Sequence, residues 1–206
     1  LLQFPALFGA LTITYNLPGV KDEALKLKNS VVAEIFAGTI TMWNDPKIVA
    51  DNAGLNLPAK QIIVAHRSDG SGTTHVFTDY LSTVSPMWKS KFGTGKAIGW
   101  AVGVGGKGNE GVTNIIKETP YSIGYIENAY KAKNNLTAAT LQSASGKWVT
   151  ARTANFQNAI KQASWTKKDH FYGSLVVEKG DSTYPIVAAT YILMPRETKD
   201  VNKQVE

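Results

Sequence analysis

Gln61-Ile62-Ile63-Val64-Ala65-His66-Arg67, the turn Ser68-Asp69-Gly70-Ser71-Gly72-Thr73, and the run from Thr74 to Leu81 together read as strand, tight turn and helix. The first segment is an apolar run between Pro58 and a Gly/Ser-rich turn, the pattern of a buried strand. Beyond the turn, Val76, Phe77, Tyr80 and Leu81 fall on one helical face. A strand delivering a glycine turn directly to a helix is the unit from which α/β sheets with covered faces are built.

The same logic extends along the chain. Ala6 to Tyr15 clusters β-branched and aromatic residues before Asn16-Leu17-Pro18-Gly19 and is expected to be a strand. Asn29-Ser30 ahead of Val31 to Ala37, with Gly38 behind, predicts a short helix with a polar N-cap. Asp45-Pro46 predicts a helix running towards Gly54, and Ser85-Pro86 one ended by Gly93. Helices are expected over Val112 to Lys117 and within Ala151 to Ala163, with a strand from Ser122 to Ile126 between them. The apolar run Tyr184 to Met194 predicts a last strand, reached through the turn-rich stretch Lys167 to Thr183 and returning beside the first.

The turn has the chemistry of an anion site. Gly70 and Gly72 free the backbone, so that the N–H groups of Ser71, Gly72 and Thr73 can lie in the first turn of the helix, where amides lack intrahelical acceptors. Ser71 and Thr73 add hydroxyls, and Arg67 offers a guanidinium fork for two oxygens. Asp69 would repel an anion unless it pairs with Arg67 and so orients the fork. The plainer reading is a strand-to-helix turn with Ser71 as N-cap. No Gly-Lys-Ser/Thr follows at Walker A spacing.

Two other chemistries compete. Gly103-Val104-Gly105-Gly106-Lys107-Gly108 satisfies G-x-G-x-x-G, with Glu127 near the place of a ribose-binding acid, so a dinucleotide-binding enzyme domain is one alternative. Its bland counterpart is a close-packed loop leading into a helix through Gly108 or Asn109. A phosphatase using Ser71 or His66 is the other, although Asp69 stands where a nucleophile elbow around Ser71 needs its first glycine. His66, His75 and His170 show no metal-ligand spacing. Trp43, Trp88 and Trp100 form no stripe and are expected to pack in the core.

The bulk numbers are those of a globular domain. The 206 residues are 43% hydrophobic and 18% charged, and the net charge of +6 comes from 22 basic and 16 acidic residues without a basic block, so no nucleic-acid partner is expected. The chain has no cysteine, which excludes disulfides, thiolate metal sites and cysteine nucleophiles. No apolar run is long enough to span a membrane, and Leu1 to Tyr15 lacks the basic leader of a signal peptide.

Arg67 to Thr73, Gly105-Gly106-Lys107-Gly108-Asn109-Glu110-Gly111 and Ile123-Gly124-Tyr125-Ile126-Glu127, taken in order, resemble the periplasmic phosphate-binding proteins of phosphate-specific ABC transporters. Leu2-Gln3-Phe4-Pro5, Leu17-Pro18-Gly19, Gly38 to Asp45 and Val84 to Gly95 extend that resemblance over nearly the whole chain. It implies an α/β fold: one lobe of a type II periplasmic-binding-protein clamshell, with a central mixed sheet flanked by helices. Residues 1–206 would form a single lobe, its core at about 16–184 and its hinge strands at about 6–15 and 185–195.

By the same resemblance, Arg67, Ser71, Gly72 and Thr73 bind inorganic phosphate and Asp69 holds Arg67. The family's other lobe carries a glycine/serine phosphate loop and an aspartate that accepts a hydrogen bond from protonated phosphate. Neither pattern occurs in this sequence, so the N-terminal lobe and a C-terminal part are expected to be missing. The implied function is non-catalytic phosphate capture for an ABC transporter permease, without cofactor, by a monomer that is periplasmic or lipid-anchored.

Overall fold

The computed structural model describes residues 2–163 and 173–195; His170 and the start of the turn-rich stretch lie outside them. Along the chain run β1 (Leu2–Asn16), β2 (Lys26–Leu27), α1 (Asn29–Phe36), α2 (Pro46–Val49) and β3 (Ile63–Arg67). Next come α3 (Gly72–Val84), α4 (Pro86–Lys91), β4 (Val104–Gly106), α5 (Gly108–Glu118), β5 (Ser122–Glu127) and α6 (Asn128–Lys133). The remainder comprises β6 (Thr137–Ala138), β7 (Thr140–Gln142), β8 (Trp148–Val149), α7 (Thr153–Gln162), β9 (Leu175–Val176) and β10 (Ile186–Met194).

One mixed sheet organises these elements in the order β4-β3-β5-β1-β10-β9, with β6 also paired to β1. β4, β3 and β5 are parallel, whereas β5, β1, β10 and β9 pair antiparallel. β1 changes partner partway along: Leu2 to Ala10 pair with β10, and Leu11 to Asn16 pair with β5. The last strand therefore does return beside the first. Its outer half, joined to β1, forms a ribbon on which Leu7, Ile192 and Leu193 are exposed.

The period-2 alternation of the strands sends side chains to both faces of this sheet. Val64, Ile123 and Tyr125 enter the main core with Phe36, Phe77 and Trp88, while Ala65 and Ile126 meet Val112 and Ile116 of α5 on the other side. Tyr125 stacks on Phe77 at 4.3 Å between ring centroids, and Phe77 meets Phe36 edge-on at 4.7 Å. Trp43 and Trp88 are fully buried, as core packing requires.

Several local expectations are corrected. Asn29 does not cap α1; it is the first helical residue, and its Oδ1 accepts the Tyr80 hydroxyl at 2.9 Å. α2 begins as expected, with Asp45 Oδ1 accepting the Lys47 amide at 2.9 Å, but stops at Val49 rather than near Gly54. Asn52 is the cause: its Nδ2 donates to the carbonyls of Ile48 (2.8 Å) and Lys26 (2.7 Å), and its Oδ1 accepts the Lys26 amide (2.8 Å). One side chain thus satisfies the helix end and ties it to β2. The three-stranded sheet β2-β7-β8 has no counterpart among the expected elements, because strands of two or three residues carry no readable period.

Candidate functional site

β3, β4 and β5 end on the same side of the sheet, at Arg67, Gly106 and Glu127. Crevices beyond the carboxyl ends of parallel strands are the usual ligand positions in open α/β sheets. Here the crevice is a cleft of ≈ 470 Å³ whose polar wall is Arg67, Ser71, Gly72, Thr73, Asn109 and Glu127. The opposite wall comes from the β1–β10 ribbon through Leu7, Gly9 and Ala188 to Thr190.

Arg67 is held from two directions. Its backbone N–H donates to the Tyr125 hydroxyl at 3.1 Å, and that hydroxyl shares a hydrogen with Thr74 Oγ1 at 2.7 Å, so one buried phenol joins the end of β3 to the start of α3. Its Nε donates to Asp69 Oδ1 at 2.8 Å and its Nη2 to Oδ2 at 2.5 Å. This bidentate pair engages one edge of the guanidinium and leaves the Nη1 edge without a partner among the described residues.

Asp69 accepts a third bond, from the Gly108 amide at 3.0 Å. Hydrogen bonding from Arg67, then from Gly108, holds its carboxyl well below the usual carboxylate range, and the same pair raises the Arg67 pKa. For a depressed carboxyl, the contribution to stability is full above the unfolded value of about 4 and is lost as pH falls through the folded value. Asp69→Asn is therefore expected to flatten the decline in melting temperature between about pH 5 and pH 2, measured by thermal denaturation against the unmodified chain. An unchanged acid limb would show that the pair contributes nothing to folding.

The helix start departs from the simple amide cradle. Ser71 is the N-cap of α3, and its Oγ accepts the amides of Thr73 (3.0 Å) and Thr74 (3.4 Å). The Ser71 amide donates to the Lys96 carbonyl at 2.8 Å. Of the three expected amides only that of Gly72 has no acceptor among the described residues; the cap and the anion-site readings thus describe the same residue. Thr73 Oγ1 donates to Glu127 Oε1 at 3.2 Å, an oxygen that also accepts Asn109 Nδ2 at 3.0 Å.

The glycine pattern Gly103 to Gly108 is packing, not a strand followed by a dinucleotide turn. Val104, Gly105 and Gly106 are themselves β4, so the strand contains these glycines instead of preceding them. A Cβ on Gly106 would lie 2.5 Å from the backbone of Gly111 and Val112, so its bareness lets α5 sit directly on the strand. That contact delivers Gly108 to Asp69 and Asn109 to Glu127. His66 stacks on Trp100 at 4.8 Å, and its Nδ1 lies 3.0 Å from the Arg67 carbonyl, with burial lowering its pKa. No histidine nitrogen bonds Ser71 Oγ among the described residues.

The structure thus gathers Arg67, Ser71, Gly72 and Thr73 at one cleft, with Asp69 bound to Arg67 behind them. Asn109, Tyr125 and Glu127 belong to its frame, a place that sequence spacing does not assign them. Their one available signal is membership in the motifs Gly105 to Gly111 and Ile123 to Glu127, which names segments but not contacts.

The PBP superfamily domain profile matches residues 1–206, and the chain belongs to that superfamily. Within it, the chain is 46% identical over 207 residues to a Haemophilus influenzae protein named Phosphate-binding protein PstS, covering 98% of this chain and 62% of that relative. Proteins of the same name from Pasteurella multocida and Methanocaldococcus jannaschii are 45% and 41% identical, over 100% and 94% of this chain and 60% and 53% of theirs.

Among solved structures, a high affinity periplasmic phosphate-binding protein bound with phosphate superposes with a TM-score of 0.72 at 20% identity, over 98% of this chain and 60% of that one. A DING protein gives 0.71 at 19% identity, over 98% and 61%. At these identities the superpositions speak to the fold alone. The chain spans about 60% of the length of the first of these relatives.

Proposed function

We propose that this chain captures inorganic phosphate without chemical conversion, as part of a periplasmic binding protein that delivers it to an ABC transporter permease. The observation that carries this reading is the Nη1 edge of Arg67, unpaired among the described residues, on a residue that lines the same cleft as Ser71, Gly72 and Thr73. Two oxygens of a tetrahedral anion suit the guanidinium edge, and a third suits the amide at the start of α3. Ser71 Oγ accepts two amides and keeps its own hydrogen to donate. Asp69 orients the fork rather than meeting the ligand.

The names of the curated relatives support phosphate as the ligand. In this reading the β1–β10 ribbon is a hinge leading to a second lobe, and closure over the anion follows because only the closed state contacts it from both sides. The permease contact and the monomeric state belong to the same proposal. Equilibrium titration with phosphate, with sulfate as competitor, tests it. Saturable, weak phosphate binding is expected for this chain, since in this reading a second lobe supplies the remaining contacts to the anion. Absence of any saturable phosphate signal would overturn the proposal.

A further inference from the structure

The cleft contains a carboxylate that opposes the binding of an anion. Glu127 ends β5 where β1 exchanges partners: Leu11 pairs with Glu127, and the preceding Ala10 pairs with Val187 of β10. Its Oε1 accepts the hydroxyl hydrogen of Thr73 at 3.2 Å and an amide hydrogen of Asn109 at 3.0 Å, while its own backbone N–H donates to Asn109 Oδ1 at 3.4 Å. Asn109 is almost fully buried, so this reciprocal pair fixes the carboxylate rather than leaving it to sweep solvent. The Glu127 charge also acts on Arg67, adding to that of Asp69.

A hydroxyl has one hydrogen to give. While Thr73 gives it to Glu127, its oxygen presents only lone pairs to the cleft, and a phosphate oxygen placed there meets no donor. We propose that Glu127 attenuates phosphate affinity by competing with the ligand for the Thr73 hydroxyl hydrogen, so that capture requires this hydroxyl to change partner. Glu127 is thus a positioning residue acting through Thr73, and the inference rests on the phosphate reading given above. Its functional sense is release: a site that must hand its ligand on gains from an internal acceptor ready to reclaim the donor.

The test is phosphate titration of Glu127→Gln. Glutamine keeps the size but removes the charge, so the atom that faces both Thr73 and Asn109 becomes either a neutral carbonyl, a weaker acceptor for the Thr73 hydroxyl, or an amide nitrogen, which is no acceptor at all. Affinity is expected to rise about five- to tenfold, which loss of a merely structural contact does not produce. In the Thr73→Val background the same substitution should gain clearly less, because the contested hydrogen is gone. Binding that Glu127→Gln weakens or leaves unchanged, or equal gains in both backgrounds, would overturn this inference while leaving phosphate capture intact. Absence of phosphate binding by the unmodified chain would overturn both readings.

Discussion

Arg67→Ala is expected to lower phosphate affinity by about 10²- to 10⁴-fold while leaving the fold intact. The size follows from two charge-assisted hydrogen bonds lost from the Nη1 edge, each worth about 1.5–3 kcal/mol. A second effect adds to it: without its partner, the Asp69 carboxylate becomes an unneutralised negative charge beside the anion. Arg67→Lys separates the contributions, since it keeps the charge but not the planar fork, and it should fall between the alanine variant and the unmodified chain. Calorimetric titration of the three proteins, with thermal denaturation as the folding control, measures the series. Unchanged phosphate affinity in a folded Arg67→Ala protein would sink the site assignment.

Gly106→Ala is expected to cost about 3 kcal/mol of stability, because the added methyl meets the backbone of Gly111 and Val112 at 2.5 Å and neither neighbour is a flexible side-chain tip. For a chain of this size that corresponds to a fall of about 6–12 °C in melting temperature. The change should also reach the site. Moving α5 off β4 carries the Gly108 amide away from Asp69 and Asn109 away from Glu127, so phosphate affinity should fall even in the fraction that remains folded. A melting temperature within about 1 °C of the unmodified chain would show that the close approach of β4 and α5 is not under constraint.

These two variants sit on opposite sides of what is legible in the sequence. Arg67 is identifiable because strand, turn and helix are contiguous, so the donors of the proposed anion site lie within seven residues. Gly106 is visible only as part of a glycine pattern that fits a dinucleotide turn as well as a packing contact. The pattern cannot say whether a strand precedes the glycines or contains them, and that depends on the pairing of β4 with β3. The early stop of α2 has a similar origin, since Asn52 reaches a strand 26 residues away.

The strand-turn-helix unit, the Arg67 to Thr73 donor set, the α/β class and, through the ordered motifs, the family were all determined at the level of sequence. Local spacing suffices for these because each is a property of neighbouring residues. Tertiary structure alone decided that Thr73 gives its hydrogen to Glu127 and that α5 supports both carboxylates. Those bonds join residues up to 54 positions apart, and only the parallel pairing that brings the ends of β3, β4 and β5 to one edge places them within reach.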